Sequence, residues 1–201
     1  WPSFTNVPNE FIEAYFPLRI EKYETITDSG GPGLHRGGNG LSVAYRFLVD
    51  GHIGIHDDRW LTYPWGVNGG NPGNRSTKLL VRSDGTEEFI PAKCEGVKVQ
   101  KGDLLYFNTW GGGGWGDPLE RDPANVVSDV AKKLVSIDGA KRYGVVINDD
   151  LSLDEKGTKA LRSKMSKDSV KDEMFNFGGT IEEIKSRSLK ETNLEPPVSP
   201  T

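Results

Sequence analysis

The densest run of ionisable side chains, His56-Asp57-Asp58-Arg59, sets an imidazole and two carboxylates beside a guanidinium at the end of a strand-like segment. Histidine and aspartate are ligands that suit divalent first-row metals. Adjacent residues of a strand point to opposite faces, however, so at most two of these four side chains can converge on one ion. The run therefore favours a solvated turn, with an ion pair between Arg59 and an aspartate, over a metal site.

A second cation, Arg36, follows His35 within a glycine-rich run. The pair could bind an anion, and it could equally order the surrounding loop through hydrogen bonds. Both interpretations stay open on the sequence, and Arg36 is kept as a candidate anion-binding residue.

Glycine is concentrated in three runs that hold more than half of the 25 glycines, residues 28–40, 64–73 and 110–122. Glycine loses the most backbone entropy on folding, so this concentration is costly unless the backbone takes positive φ or approaches another group closely. The tryptophan, arginine and aspartate residues among the glycines argue against a flexible linker. The runs are either tight turns at the rim of a β structure or loops that line a ligand or subunit surface.

One glycine run, residues 111–116, matches the dinucleotide signature G-x-G-x-x-G. That signature needs the glycines to lead directly into a helix, whereas Asp117-Pro118 and further polar residues come first here. The absence of a following Gly-Lys-Ser/Thr argues more firmly against a P-loop. No Ser-His-Asp order, catalytic carboxylate pair or zinc-ligand spacing is present. The residues alone indicate a scaffold without a complete catalytic apparatus.

The composition, 35% hydrophobic and 27% charged over 201 residues, describes a soluble protein with a modest core and a formal net charge of −4. No stripe of lysine and arginine stands out, so nucleic acids and anionic membranes are poor partners. No apolar run approaches the roughly 20 residues that span a bilayer. The single cysteine, Cys94, excludes an internal disulfide and fits a reducing, cytoplasmic compartment.

The first part of the chain, residues 1–121, is predicted to be a β-rich domain that carries the three glycine loops. Alternating apolar and polar residues predict strands, and short turns are expected to join most of them as hairpins. The predicted strands are 14–27, then 41–49 joined through Asp50-Gly51 to 52–56, then 78–82 joined to 87–90, and finally 97–100 joined to 104–109.

Residues 122–194 are predicted to be a helical region, and residues 195–201 a proline-rich, poorly ordered tail. N-cap signals and apolar spacing predict helices in this region. They run from Pro123 to about Val135, over 136–142, from a capping box at 152–155 to about Ser166, and from a capping box at 180–183 to about Lys190, with a buried strand at 143–147. The fold class is therefore α+β, a β-rich N-terminal half with glycine-rich loops followed by a helical C-terminal region.

These segments, taken in order, resemble the hydantoinase B/5-oxoprolinase family, whose neighbours include the large subunits of acetone and acetophenone carboxylases. The resemblance is colinear over nearly the whole chain. It rests on Glu13-Ala-Tyr-Phe-Pro-Leu-Arg-Ile20, Asp28-Ser-Gly-Gly-Pro-Gly33, Arg36-Gly-Gly-Asn-Gly40, Asp58-Arg59, Pro64-Trp-Gly66, Gly69-Gly-Asn-Pro-Gly73, Gly102-Asp103, 111–123, 129–130, 134–136, 143–146, 181–185 and 191–197. Family subunits run to several hundred residues, so the resemblance implies the C-terminal third of such a subunit, which would account for a start at Trp1.

The resemblance implies an ATP-dependent enzyme built with a hydantoinase A-type subunit that binds ATP and Mg²⁺. That partner activates a small carbonyl substrate by phosphorylation, and the hydantoinase B-type part handles the activated species, often with a divalent metal (Mn, Zn or Fe). The metal ligands are expected in the N-terminal part of the same subunit. This segment is expected to bind no metal or nucleotide and to be inactive alone.

Either branch of the family calls for a site that excludes water and holds a phosphorylated intermediate. Arginine side chains and the N–H groups of glycine loops would suit that anion. The candidate residues for binding the substrate or intermediate are Arg36, His56, Arg59, Gly112, Gly113 and Trp115.

Two branches and one non-catalytic role remain open. Tryptophans at 60, 65, 110 and 115 favour the branch that carboxylates a ketone, as in acetone and acetophenone carboxylases. The alternative is ATP-dependent hydrolysis of a cyclic amide such as a hydantoin, 5-oxoproline or a lactam. A structural module that docks the ATP-binding subunit is the second alternative.

Overall fold

The computed structural model describes residues 6–166 and 174–197. The strands are β1 Leu18–Thr25, β2 Leu41–Phe47, β3 Gly51–His56, β4 Gly66–Val67, β5 Thr77–Val81, β6 Glu87–Phe89, β7 Lys93–Val99, β8 Leu104–Asn108 and β9 Phe175–Asn176. The helices are α1 Asn9–Tyr15, α2 Pro123–Ala131, α3 Glu155–Met165 and α4 Ile181–Thr192, with short 3-10 helices at Pro118–Glu120 and Gly139–Tyr143. Strands in the first half and helices at the C-terminal end confirm the predicted α+β class.

The main sheet is antiparallel with the strand order β1-β2-β8-β5-β6, and β3 pairs separately with β7 as a two-stranded ribbon. Apolar side chains of both layers form one core. Its buried members are Phe47, Ile55, Leu80, Ile90, Val99 and Leu105. Burial of these alternating apolar positions holds the ribbon against the sheet.

One of the three predicted hairpins forms as expected. Strands β5 and β6 pair antiparallel, with Leu79 opposite Phe89. The hairpin predicted at Asp50-Gly51 is wrong, because β2 pairs with β1 and β8 while β3 pairs with β7. The hairpin predicted between β7 and β8 is wrong for the same reason.

Both of the misassigned turns lie at the same corner of the molecule, where the chain passes from one sheet to the other. The Lys101 N–H donates to the Asp50 carboxylate at 2.8 Å, and the Gly102 N–H donates to the Phe47 carbonyl at 2.8 Å. A turn sequence predicts that the chain reverses direction, but it does not predict which strand the next segment pairs with. The first strand also starts later than predicted, since Ala14 and Tyr15 end α1.

The helical part has its own small core around α2. The Asp122 carboxylate accepts from the Ala124 N–H, as the N-cap signal predicts, and Val126 and Val130 are buried. Helix α2 ends at Ala131, before the predicted end near Val135, and Lys133 takes a φ of 60°.

The chain beyond α2 has less regular secondary structure than the sequence predicts. The predicted helix at 136–142 is the 3-10 helix Gly139–Tyr143, and the predicted strand at 143–147 is buried but forms only a bridge from Ile147 to Leu153. Close packing against α2 supplies the burial that the apolar run suggested.

The last two helices differ in how they begin. Helix α4 has the predicted capping box, in which Thr180 and Glu183 bond each other reciprocally. The capping box predicted at Ser152 is wrong, because Asp154 caps α3 and Ser152 instead bonds Asp150. None of the helices in the described ranges combines the length and the apolar composition that a membrane span requires. Of the predicted tail, residues 198–201 lie outside the described part of the chain.

Candidate functional site

The three glycine runs pack directly against one another, and we call them together the glycine bundle, residues 28–40, 64–73 and 110–116. The Gly31 N–H donates to the Gly112 carbonyl at 2.8 Å, and the Asn71 N–H donates to the Pro32 carbonyl at 2.7 Å. The Gly114 N–H then donates to the Asn71 carbonyl at 2.9 Å. Every run therefore bonds to at least one other through its backbone.

Glycine is required in the bundle because its backbones touch. A Cβ on Gly113 would overlap the Trp65 carbonyl oxygen, and a Cβ on Gly70 would overlap the Gly114 carbonyl oxygen. Neither sequence interpretation, rim turns or ligand-lining loops, anticipated that the runs would pack on each other. Close approach, more than positive φ, explains most of these glycines.

The backbone of Gly112 is used inside the bundle. Its N–H donates to the Gly38 carbonyl at 2.8 Å, and its carbonyl accepts from Gly31. Gly113 lies against the carbonyl of Trp65. These two candidates therefore hold the bundle together, and an additional role toward a ligand stays a prediction.

Arg36 is a largely buried link between the bundle and α2. One guanidinium nitrogen donates to the Gly37 carbonyl and to Asn39 Oδ1, each at 2.6 Å, and Nε lies 3.4 Å from the Asp129 carboxylate. Arg121 bonds the same carboxylate at 2.9 Å. This geometry favours the loop-ordering interpretation of Arg36, while anion binding by Arg36 stays a prediction.

Trp115 lies on the surface of the bundle with 46% of its area exposed. Its backbone exchanges two hydrogen bonds with His35, each 2.9 Å, and the two rings lie 5.5 Å apart. An exposed indole on a rigid backbone can stack on a flat ligand or pack against a partner chain.

The loop that follows β3 starts at a buried ion pair between Asp57 and Lys78. Burial lowers the pKa of Lys78 to about 8. The lysine side chain is 1% exposed and lies 4.3 Å over the Phe107 ring. Lys78 precedes buried Leu80 by two residues on β5, so the inward direction of this lysine could have been read from strand periodicity.

The next residues of this loop are hydrogen-bonded to Arg75 and Ser76, which lie directly before β5. Ser76 bonds two successive carbonyls, its hydroxyl donating to Asp58 at 2.7 Å and its N–H donating to Arg59 at 2.9 Å. The Arg75 guanidinium then donates to the Trp60 carbonyl at 2.9 Å. This series of contacts holds Arg59 in the left-handed region, with a φ of 59°.

Arg59 is presented on the face of Trp65, with its guanidinium carbon 4.6 Å from the ring centroid. The predicted ion pair between Arg59 and an aspartate is wrong. Both aspartates pair instead with lysines of neighbouring strands: Asp57 pairs with Lys78, and the Asp58 carboxylate lies 3.1 Å from Lys93 Nζ. Among the described residues no carboxylate lies within 4 Å of the Arg59 guanidinium.

Arg59 also lines a cavity of about 640 Å³. Residues 58–62 form one wall, Pro91 and Lys93 a second, and Leu194, Glu195 and Pro197 a third. Arg59, Lys93 and Trp60 line this space together with the carboxylates of Asp58 and Glu195, and Asp58 already pairs with Lys93. Arg59 is therefore the cation of this lining that has no carboxylate partner among the described residues, and it is the group that could accept an anion. The Arg59 side chain is the best placed of the sequence candidates to contact a phosphate or carboxylate.

His56 is the last residue of β3 and lies on the ribbon, opposite Lys93. Its side chain is 74% exposed, and its Nε2 lies 2.5 Å from Glu95 Oε1. The structure therefore places Arg36, Gly112, Gly113 and Trp115 in the glycine bundle, and Gly113 lies against Trp65, the residue whose ring faces Arg59. His56 does not line the Arg59 cavity.

Two groups of residues near the site were missed by sequence reasoning. Trp65 makes edge contacts with Phe175 and Phe177, at centroid distances of 6.4 and 5.9 Å. Arg75, buried beside Tyr63, is the other. The aromatic partners come from β9 and the residues after it, more than 100 positions along the chain, so no local pattern could have linked them to Trp65.

No group of three or more His, Cys, Asp or Glu side chains in the described ranges could hold a metal ion.

Comparison with known proteins identifies the class to which this fold belongs. The family model of hydantoinase B/oxoprolinase matches residues 1–118, more than half of the chain. The chain belongs to the hydantoinase B/oxoprolinase family.

Relatives of known name support the same assignment. The chain is 35% identical over 160 residues to a putative D-/L-hydantoinase subunit of the B type from Pseudomonas sp. strain NS671, covering 78% of this chain and 27% of that protein. It is 36% identical over 159 residues to the beta chain of the caprolactamase of Pseudomonas jessenii, covering 77% of this chain and 27% of that protein.

Solved structures show the same fold. The crystal structure of the ATP-dependent caprolactamase of Pseudomonas jessenii matches with a TM-score of 0.65 at 33% identity, over 78% of this chain and 28% of that one. The nucleotide-free structure of an acetone carboxylase matches with a TM-score of 0.64 at 21% identity, over 92% of this chain and 29% of that one. The second likeness is evidence of fold alone. The chain spans under a third of the length of each of these proteins.

Proposed function

We propose that this chain acts as a segment of a hydantoinase B-type subunit in an ATP-dependent enzyme that opens cyclic amides. The observation that carries the proposal is the identity of 35–36%, over about 160 residues, with two subunits named for a hydantoinase and a caprolactamase. Family resemblance supplies the rest of the assembly: a hydantoinase A-type subunit for ATP and Mg²⁺, and the remaining part of the same subunit for a divalent metal. A cytoplasmic location belongs to the same proposal.

Ketone carboxylation is the second candidate function. It is favoured by the tryptophans at the glycine bundle, of which Trp65, Trp110 and Trp115 are 39–46% exposed. The acetone carboxylase match adds only a shared fold, because its identity is 21%. The cyclic-amide branch therefore takes precedence over the branch that the sequence favoured.

Within this proposal, Arg59 contacts the anionic group of the activated substrate. Its guanidinium carbon lies 4.6 Å from the Trp65 ring centroid and its side chain lines the cavity, where Lys93 is already paired with Asp58. The glycine bundle supports this arrangement through Gly113, which lies against the Trp65 carbonyl. The partner subunit carries out the phosphorylation, and this chain binds and orients the activated substrate.

The test is a chimera in which the part of this chain that aligns over 159 residues with the Pseudomonas jessenii caprolactamase beta chain replaces the matching segment of that protein. We expect ATP-dependent opening of caprolactam, measured as ADP and as the ring-opened amino acid. Hydantoin, 5-oxoproline, and acetone with bicarbonate are assayed in parallel. A chimera that assembles with its ATP-binding partner and turns over acetone alone would overturn the cyclic-amide assignment.

Variants of the chimera separate a substrate site from a docking module. Loss of one charge-assisted contact to the transition state costs about 10²–10³ in rate, so we expect that loss for Arg59→Ala. Arg36→Ala tests the other candidate cation in the same assay. Arg19→Ala, an exposed arginine on β1, is the matched control and should keep the parent rate. Near-normal turnover in the Arg36 and Arg59 variants would favour a non-catalytic module.

A further inference from the structure

A second cavity lies beside the first, at the ends of β5 and β8, and neither the family assignment nor the Arg59 site uses it. Its volume is about 320 Å³. Amide, hydroxyl and phenol groups surround one guanidinium and one carboxylate, and they are supplied by Tyr63, Asn74, Arg75, Thr77, Asn108 and Glu191. Such a lining suits a small polar molecule that carries charge.

Arg75 is held rigidly in this cavity. Its side chain is 4% exposed, its guanidinium donates to the Trp60 carbonyl at 2.9 Å, and it lies 5.2 Å over the Tyr63 ring. The second terminal nitrogen, Nη2, pairs with Glu191 of α4. A buried guanidinium needs an acceptor at that position, because leaving it unpaired would be costly.

Glu191 is the exposed half of this pair. Its side chain is 50% exposed, and it lies in the last turn of α4. Because half of the Glu191 side chain is in solvent, Glu191 can move from Arg75 into water, and an incoming carboxylate then keeps the buried guanidinium paired. Glu191 would then face the same cavity with its negative charge free.

We infer that the Arg75 cavity binds a small amino acid in which an ammonium group and a carboxylate are separated by a short chain. The ligand carboxylate takes the place of Glu191 on Arg75, and the ligand ammonium bonds Glu191. The pair Arg75–Glu191 thus opens to receive a molecule with the complementary pair of charges. Opening a cyclic amide gives an amine and a carboxylate on one chain. That link to product binding rests on the proposed function, whereas the binding itself does not.

Calorimetric titration of the 201-residue chain with 6-aminohexanoate tests the inference, with hexanoate, hexylamine and neutral caprolactam as probes of each charge. We expect 6-aminohexanoate to bind most tightly and caprolactam to bind at least tenfold more weakly. Equal binding of 6-aminohexanoate and caprolactam, or no binding of 6-aminohexanoate at millimolar concentration, would overturn it.

Two variants assign the charges to residues. Glu191→Gln removes the internal competitor, so hexanoate should bind about tenfold more tightly while 6-aminohexanoate loses its advantage over hexanoate. Glu182→Gln, an exposed glutamate at the other end of α4, is the matched control and should change neither probe. Unchanged binding of both probes in Glu191→Gln would contradict the exchange.

Arg75→Lys keeps the positive charge and removes the planar guanidinium fork, so both carboxylate probes should weaken at least tenfold. Thermal unfolding by circular dichroism shows whether the Arg75→Lys chain is folded. If it is not, the binding measured for the surface variant Glu191→Gln still tests the inference. Failure of an assembled chimera to open caprolactam, hydantoin and 5-oxoproline, with binding of 6-aminohexanoate intact, would reject the proposed function and leave the cavity assignment in place.

Discussion

Asp57 and Lys78 form an ion pair in which the side chains are 8% and 1% exposed, and this pair anchors the start of the loop that presents Arg59. The lysine comes from β5 and the aspartate follows β3, so the pair joins the main sheet to the end of the ribbon strand. The position of the candidate cation therefore depends on a polar contact inside the β core.

Breaking this pair should strongly destabilise the fold. Lys78→Met leaves the Asp57 carboxylate buried without its partner, and we expect a loss of about 3–5 kcal/mol in the free energy of unfolding. The double variant Asp57→Asn/Lys78→Met removes both charges and should recover much of that loss. Urea unfolding of the wild-type chain, the two single variants and the double variant measures the coupling. Additive losses would show that the two residues do not act as a pair.

The pH dependence of stability should report the burial of Lys78. Burial lowers the pKa of Lys78 from 10.5 to about 8, so between these values the unfolded chain binds the proton that the folded chain has released. Stability rises with pH wherever the unfolded state binds more protons. The contribution of Lys78 to the free energy of unfolding should therefore increase from pH 8 to pH 10.5. The measurement is the free energy of unfolding of the wild-type chain minus that of Lys78→Met, determined across this pH range. A difference that falls as the pH rises would contradict the prediction.

The glycine bundle should tolerate a methyl group at one position and reject it at another. Gly113→Ala places a Cβ on the Trp65 carbonyl oxygen, so we expect a loss of about 3 kcal/mol or more in stability, or failure to fold. A Cβ at Gly38 would meet nothing within 4 Å, so Gly38→Ala should change stability by less than about 1 kcal/mol. Thermal unfolding compares the two. Equal stability of both variants would show that close backbone packing does not explain the glycines.

The capping box of α4 should stabilise the helix that carries Glu191. Thr180 Oγ1 accepts from the Glu183 N–H at 3.3 Å, and the Glu183 carboxylate accepts from the Thr180 N–H at 2.9 Å. Thr180→Ala should lower the free energy of unfolding by about 1 kcal/mol. Ser186→Ala, at an exposed position inside the same helix, should instead be neutral or slightly stabilising. Hydrogen exchange of the α4 amides localises the effect, and faster exchange in Ser186→Ala than in Thr180→Ala would contradict it.

The candidate site was predictable only in part. Arg59 could be selected from its sequence neighbours, yet its expected aspartate partner was wrong because Lys78 and Lys93 bind both carboxylates. Arg75 and Phe175 gave no signal, since their contacts come from residues distant in the chain. The predicted division of the chain at residues 121 and 194 stays a prediction. So does substrate or intermediate binding by the six candidates, Arg36, His56, Arg59, Gly112, Gly113 and Trp115.

By itself the sequence determined the features that depend on a few neighbouring residues, namely the caps of α2 and α4, the β5–β6 hairpin, the positions of β2, β3, β5, β6 and β8, and the family. Caps and tight turns are set by contacts within about four residues, so their signals survive in the linear order. Tertiary structure alone decided which strands pair after Asp50-Gly51, how the glycine runs pack on one another, and that Arg75 meets Glu191 across 116 positions. Those contacts join backbones and charges that approach only when the whole chain has folded, so their partners cannot be read from any local pattern.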